Sequence, residues 1–301
     1  MRYIGSIIRP PSEADSLILQ VTYGCSHGAC DFCGTYADKP FRLRPWHEVV
    51  EDLTGLPHGL KQAVTRVFLA DGDAVVLPYR RLLELLSLLR RELPRLERVS
   101  AYATAQALLR KDVAQLAALR EQGLTLLFLG LESGDDATLA ACNKGVTVAE
   151  QIEACRRATE AGIDLSITTI LGLAGAESVG DEALSAASER HARETGRVLS
   201  AIDPAFIGVL SLMVTPGTPI AERVRRGEFI VPGPPAMLRE LRELIASIEV
   251  TDSLFRSNHA SNYLPVGGRL PADKSRMLAA LDAVLSEPAR TRLRPESWRA
   301  L

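Results

Sequence analysis

Three of the chain's five cysteines, Cys25, Cys30 and Cys33, fall within nine residues of one another. A chain of this length with so few, so clustered cysteines has no disulfide framework, and crowding of this kind points to metal ligation or redox chemistry. Iron-sulfur clusters are held by thiolates, and three of them leave one iron of a four-iron cube open to a further ligand. With His27 as a fourth donor, the same loop would instead close a tetrahedral zinc site. A non-catalytic, zinc-stabilised binding protein is therefore the competing reading. Cys142 and Cys155 stand apart on helical sequence and read as packed thiols.

The elements that must position this loop alternate between short apolar runs and longer stretches of helical periodicity, the pattern of βα units on a parallel sheet. Six strands are expected at 17–22, 66–70, 99–102, 124–129, 165–171 and 205–213. Helices are expected at 46–53, 79–92, 112–122, 148–161, 181–194 and 236–248, with a further one at 271–285. Gly123, Gly162 and Gly196 stand where C-terminal caps would fall. Six units fall short of the eight of a closed barrel. The expected fold is α/β, a partial (β/α)6 TIM-like barrel, open, with a small α-rich C-terminal extension. The chain divides on this reading into a lead-in at 1–15, a core at 16–230 and an extension at 231–301, beginning at the Pro- and Gly-rich 231–235. Residues 287–301, with four arginines, read as a solvated tail.

Composition narrows the partners. Thirty-five Lys and Arg against 37 Asp and Glu give a net charge of -2, which supplies no field to attract nucleic acid. No apolar run approaches the roughly 20 residues that span a bilayer, and no secretory leader is evident. A cytoplasmic protein without a membrane partner is expected.

The loop reads Gly24-Cys25-Ser26-His27-Gly28-Ala29-Cys30-Asp31-Phe32-Cys33-Gly34. It resembles the signature of the radical S-adenosylmethionine (SAM) superfamily, including the aromatic Phe32 before the third cysteine. The first gap is one residue longer than the usual spacing. The resemblance extends over residues 14–215. It implies a [4Fe-4S] cluster on Cys25, Cys30 and Cys33, with SAM chelating the open iron. An electron donor such as flavodoxin or ferredoxin and an unidentified substrate are implied as well.

The same resemblance assigns further residues to SAM. Asp71-Gly72-Asp73 replaces the family's Gly-Gly-Glu turn, which accepts hydrogen bonds from the SAM amino group. Glu132, in Gly130-Leu131-Glu132-Ser133-Gly134, corresponds to a glutamate that faces SAM, with helix capping near Asp135 as its alternative role. Ile170, Leu171 and Gly172 correspond to the adenine-facing strand, with core packing the default reading of Ile170 and Leu171, while Ser166 and Thr168 share one face of the strand and are the residues expected to line the cavity. Phe32 completes the cofactor set. Gln106 and the polar run containing Asn258 and His259 are candidate substrate contacts, a polar turn being the other reading of that run. His47, His58 and His191 read as surface residues. Two remaining cysteines are too few for an auxiliary cluster, and the short lead-in argues against a preceding cobalamin domain.

Overall fold

The computed structural model describes residues 1–180, 182–286 and 293–300. In chain order the elements are β1 (Leu17–Gln20), β2 (Thr22–Tyr23), β3 (Arg42–Leu43), α1 (Trp46–Thr54), α2 (His58–Ala63), β4 (Arg66–Ala70), α3 (Tyr79–Glu92) and β5 (Arg98–Ala103). There follow α4 (Ala105–Leu109), α5 (Val113–Glu121), β6 (Leu124–Glu132), α6 (Asp136–Ala141), α7 (Val148–Glu160), β7 (Asp164–Leu171), α8 (Ala186–Ile202) and β8 (Phe206–Ser211). The chain ends with α9 (Pro219–Arg225), α10 (Pro234–Ser247), β9 (Ser253–Ser257), β10 (Val266–Leu270) and α11 (Lys274–Ser286).

Eight strands form one mostly parallel sheet in the order β1-β4-β5-β6-β7-β8-β9-β10. The fold is α/β, and the sheet is that of a partial TIM-like barrel. The six expected strands are all present. Two more, β9 and β10, arise in the C-terminal region, so the extension is not simply α-rich: β9 runs parallel to β8 and β10 antiparallel to β9. Both are short, and Gly267-Gly268 in β10 weakens the strand signal in the sequence. β2 and β3 pair separately, at the two roots of the cysteine loop.

The chain forms two compact units. The first comprises Met1–Gly28, Thr35–Leu129 and Glu153–Leu165, and the second Ala29–Gly34, Gly130–Ile152 and Ser166–Leu301. In the first, β1, β4 and β5 pair in parallel register. Helix α3 buries Leu82, Leu85, Leu86 and Leu89, the i, i+3, i+4, i+7 stripe that made it legible in sequence. A second apolar cluster is aromatic: Phe68 meets Tyr102 and Phe128 edge-on at 5.1 and 6.0 Å between centroids.

In the second unit the core is Leu173, Leu212, Ile220, Phe229, Met237 and Tyr263. Helix α8 departs from expectation. It begins at Ala186, with Asp181 outside the described residues, and runs through Gly196 to Ile202. Gly196 is not a cap; it is the point where α10 passes, since a side chain there would meet the Ser247 Cβ at 2.6 Å. The tail differs as well. Residues 287–292 lie outside the described set, but Arg294 and Arg299 are not solvated: they donate to the carbonyls of His259, Ala260, Asn262, Ser261 and Leu212 and hold the C-terminus onto the unit.

Candidate functional site

In the first unit the root of the cysteine loop is fastened to the turn after β4. The Gly72 N–H donates to the Gly24 carbonyl at 3.1 Å, the Gly24 N–H to Asp71 Oδ2 at 3.2 Å, and the Ser26 hydroxyl to Asp73 Oδ2 at 2.5 Å. Cys25 sits directly against this turn, because a Cβ on Gly72 would lie 2.9 Å from that of Cys25 and 2.6 Å from the Tyr36 ring. A glycine is therefore required between the two aspartates. Gly24 takes φ +68° with the Lys39 carbonyl pressed against its Cα.

The two aspartates have different surroundings although both are fully buried. Asp71 Oδ2 accepts from Gln20 at 2.9 Å and from Lys39 Nζ at 3.0 Å, and Lys39 Nζ also donates to the Ser6 carbonyl. Its carboxylate is neutralised within the protein. Asp73 has no such cation at contact distance. Its Oδ2 accepts from the Ser26 and Thr104 hydroxyls, Oδ1 has no hydrogen-bond partner, and burial pushes its pKa up. An orphaned buried acceptor of this kind suits an incoming ammonium group. Asp71 Oδ1 is likewise without a partner. Gln106, on α4, is half-buried.

In the second unit, residues 29–34 are braced by the segment after α6. The Asp31 N–H donates to the Cys142 carbonyl at 2.9 Å, and the Asn143 side chain donates to the Ala29 carbonyl at 2.9 Å. The Cys33 N–H closes a tight turn onto the Cys30 carbonyl at 3.1 Å. Phe32 packs against the core cluster around Leu212 and Met237.

The Glu132 backbone adopts φ +63°, a left-handed conformation that costs a non-glycine residue on the order of 1–3 kcal/mol and concentrates at functional positions. Its carboxylate folds over Gly130 and pairs with Lys144 at 3.0 Å. Helix capping is done by Asp135, which accepts from the Thr138 N–H, so Glu132 is not the cap of α6. Gly134 packs under α8, where a side chain would meet the Thr195 Cα at 2.6 Å. Gly134→Ala is expected to destabilise the protein by about 1–3 kcal/mol through overpacking against that backbone, measured by urea unfolding; an unchanged midpoint would contradict the close approach.

On β7, Ser166, Thr168 and Ile170 form the half-buried face and Leu165, Ile167, Thr169 and Leu171 the buried one, the period expected of a strand. Gly172 follows at φ +86°, its N–H donating to Glu240. Asn258 is exposed and His259 half-buried. The run they open is largely structural. Ser261 and Asn262 are buried and bonded to Ser211, and the imidazole of His259 turns back onto Ser261. His47 and His58 are exposed as expected, but His191 is buried at 2% exposure. Its signal was absent from the sequence, since no ligand spacing marks it. Lys39, Asn143, Lys144 and Glu240 were missed for the same reason.

The fit of this chain to an iron-sulfur cluster rests on its donors. All five cysteines are thiols; Cys25 and Cys30 are half-buried and Cys33 exposed, whereas Cys142 and Cys155 are buried. Burial pushes the Cys142 thiol up to about 11 and the Cys155 thiol to about 12. Both stay protonated and unreactive at pH 8. A thiol reagent applied to the folded, metal-free protein at that pH is expected to modify three cysteines quickly and the other two only on unfolding. Rapid modification of all five would refute this division. Among the described residues no group of three or more His, Cys, Asp and Glu is gathered in metal-binding geometry. The thiols of 25–33 nevertheless supply the soft donors that a cluster requires and a core does not.

A parallel-sheet α/β chain with a thiol loop after its first strand carries that loop at the carboxyl end of the strand, the end where barrel enzymes place their chemistry. The model of the Radical SAM superfamily matches residues 19–177, more than half of the chain, and the chain belongs to that superfamily of enzymes. The family implies a [4Fe-4S] cluster and SAM, together with a substrate and a reductant. Similar solved structures include methylornithine synthase, at TM-score 0.52 and 18% identity over 78% of this chain and 63% of that one. Coproporphyrinogen III oxidase from Escherichia coli, a radical SAM enzyme, is similar at TM-score 0.57 and 18% identity over 77% and 51%. This chain thus spans less than two thirds of either, and at such identities the likeness is one of fold. No curated protein sequence matches it. No helix among the described residues is long and apolar enough to cross a membrane.

Proposed function

We propose that this protein reductively cleaves SAM at a [4Fe-4S] cluster held by Cys25, Cys30 and Cys33 and uses the resulting radical on an as yet unidentified substrate. The observation that carries the reading is the fastening of Cys25 to an acidic turn whose Asp73 keeps an unpartnered buried carboxylate oxygen. When bound, the cluster and SAM supply an electron and a cleavable carbon-sulfur bond, giving methionine and a 5′-deoxyadenosyl radical that takes a hydrogen atom from carbon.

The chain's own residues bind and orient. Asp73 Oδ1 and the carbonyls of the same turn accept from the SAM ammonium, while Asp71, neutralised by Lys39, keeps the turn in place. Phe32, Ser166, Thr168 and Gly172 offer apolar and small polar surface to the nucleoside, Leu171 meets it only through its backbone because its side chain is buried on the other face of β7, and Glu132 is held ready in its left-handed conformation by Lys144. Gln106, Asn258 and His259 are the substrate candidates. A flavodoxin- or ferredoxin-type donor in the cytoplasm would supply the electron.

The direct test is formation of 5′-deoxyadenosine from SAM by reduced, reconstituted protein; none above a Cys25→Ala control would reject the reading. Glu132→Ala is expected to weaken SAM binding about tenfold or more, the loss of a charge-assisted hydrogen bond. Unchanged affinity would remove Glu132 from the site.

A further inference from the structure

Helices α8 and α10 carry a buried set of hydrogen bonds that ends on two turns of the second unit. His191 Nδ1 lies 2.7 Å from Ser133 Oγ, and its Nε2 lies 3.2 Å from the Ile170 carbonyl oxygen and 3.4 Å from Glu240 Oε1. Glu240 has no exposed surface. Its Oε1 accepts the Gly172 N–H at 2.8 Å and its Oε2 the Ser188 hydroxyl at 2.8 Å.

The bonding pattern assigns the imidazole tautomer. Nε2 faces two acceptors, the Ile170 carbonyl and the Glu240 carboxylate, and so carries the proton of a neutral ring, which leaves Nδ1 to accept the Ser133 hydroxyl. The ring proton then sits on Nε2, directed at the Ile170 carbonyl and the Glu240 carboxylate. Burial pushes the Glu240 carboxyl up, while the imidazole, Gly172 and Ser188 draw it down.

Two buried ionisable groups are a costly way to pack one helix on another, because apolar residues of similar size do so without desolvation. Here the bonds lead away from the helices. Of the partners reached, Ser133 adjoins Glu132, while Ile170 and Gly172 bracket Leu171, and only Ser188 belongs to a helix. We propose that His191 and Glu240 are positioning residues for SAM, holding the turn after β6 and the turn after β7 at the separation that lets both meet the cofactor. This rests on the reading that Glu132 and Gly172 contact SAM.

The test measures SAM affinity by equilibrium dialysis with the anaerobically reconstituted full chain, alongside iron content. His191→Leu is expected to raise the Kd about tenfold, the equivalent of one buried hydrogen bond left unmade. His191→Asn, whose Oδ1 stands in for Nδ1 toward Ser133, is expected to recover to within about threefold of wild type, with iron loading unchanged in both. Ser133→Ala breaks the same bond from its other end without emptying the core, together with the bond from the Asp135 N–H, and is expected to lose at least as much affinity as His191→Leu; if the leucine variant does not fold, the comparison is made between Ser133→Ala and His191→Asn. Wild-type affinity in an iron-loaded His191→Leu or Ser133→Ala protein overturns the proposal. So does an asparagine variant no better than leucine, which would make the effect one of packing. An iron-loaded wild type that does not bind SAM is a different result, and it overturns the proposed function itself.

Discussion

Cys30→Ala, purified without oxygen and reconstituted beside the wild type, is expected to lose most of the roughly four irons and matching sulfide that a [4Fe-4S] protein carries, and with them all SAM cleavage. The effect is expected to be large because removing one of three protein thiolates leaves only harder donors nearby, His27 and Asp31, in place of the soft sulfur that a cluster iron prefers. The backbone should tolerate the change: the Cys30 carbonyl, which accepts from the Cys33 N–H, is untouched by truncation at Cβ. Cys142→Ala is the matched control. It removes a buried thiol whose carbonyl also braces the loop, so it is expected to cost some stability and leave the iron in place. A wild type that is colourless and carries one zinc would refute the cluster and revive the zinc-stabilised alternative. Equal iron in Cys30→Ala and wild type would remove Cys30 from the ligand set.

Lys39→Met is expected to be the most damaging change outside the cysteines. The Lys39 and Asp71 side chains are 3% and 0% exposed, and their contact at 3.0 Å is the ion pair that compensates the Asp71 charge. Methionine fills the space and leaves a buried carboxylate with only Gln20 and the Gly24 N–H as donors. Breaking such a pair from one side costs about 3–5 kcal/mol, a large part of a typical stability margin. Because Asp71 also fastens Gly24, the loop root should loosen and iron loading fall with it. Adding Asp71→Asn to Lys39→Met removes the stranded charge and is expected to restore part of the loss, read as coupling in a double-mutant cycle of urea midpoints. A single-mutant loss under about 1 kcal/mol would show that the pair is not what holds the turn.

Much of the fold was legible because its signals are local. Apolar runs bounded by turn residues mark the six core strands, and the leucine stripe of α3 gives that helix its observed bounds, Tyr79–Glu92. Where local and tertiary signals compete, the reading failed. Gly196 looks like a stop signal, yet α8 continues through it because the glycine is where α10 comes close. Strands β9 and β10 are short and carry Arg256, Gly267 and Gly268, so only pairing with β8 and with each other identifies them. Arg294 and Arg299 read as solvated charges and instead cap backbone carbonyls far away in the chain.

The thiol loop needed no structure to be found, since three soft donors within nine residues already restrict the chemistry. Glu132 is marked as a candidate only by the resemblance of Gly130-Leu131-Glu132-Ser133-Gly134, and its left-handed backbone and its pairing with Lys144 were not visible in sequence. The sequence by itself determined the clustering of three thiols, the order of βα units and the acidic turn that follows β4. The tertiary structure alone separated Asp71 from Asp73. The two are chemically identical and two residues apart. Lys39, 32 positions before Asp71, reaches the first and neutralises it, whereas the second accepts from the Ser26 and Thr104 hydroxyls with no cation in hydrogen-bond contact. A carboxylate's role follows from its counter-charge and solvation, and both are supplied by contacts across the chain.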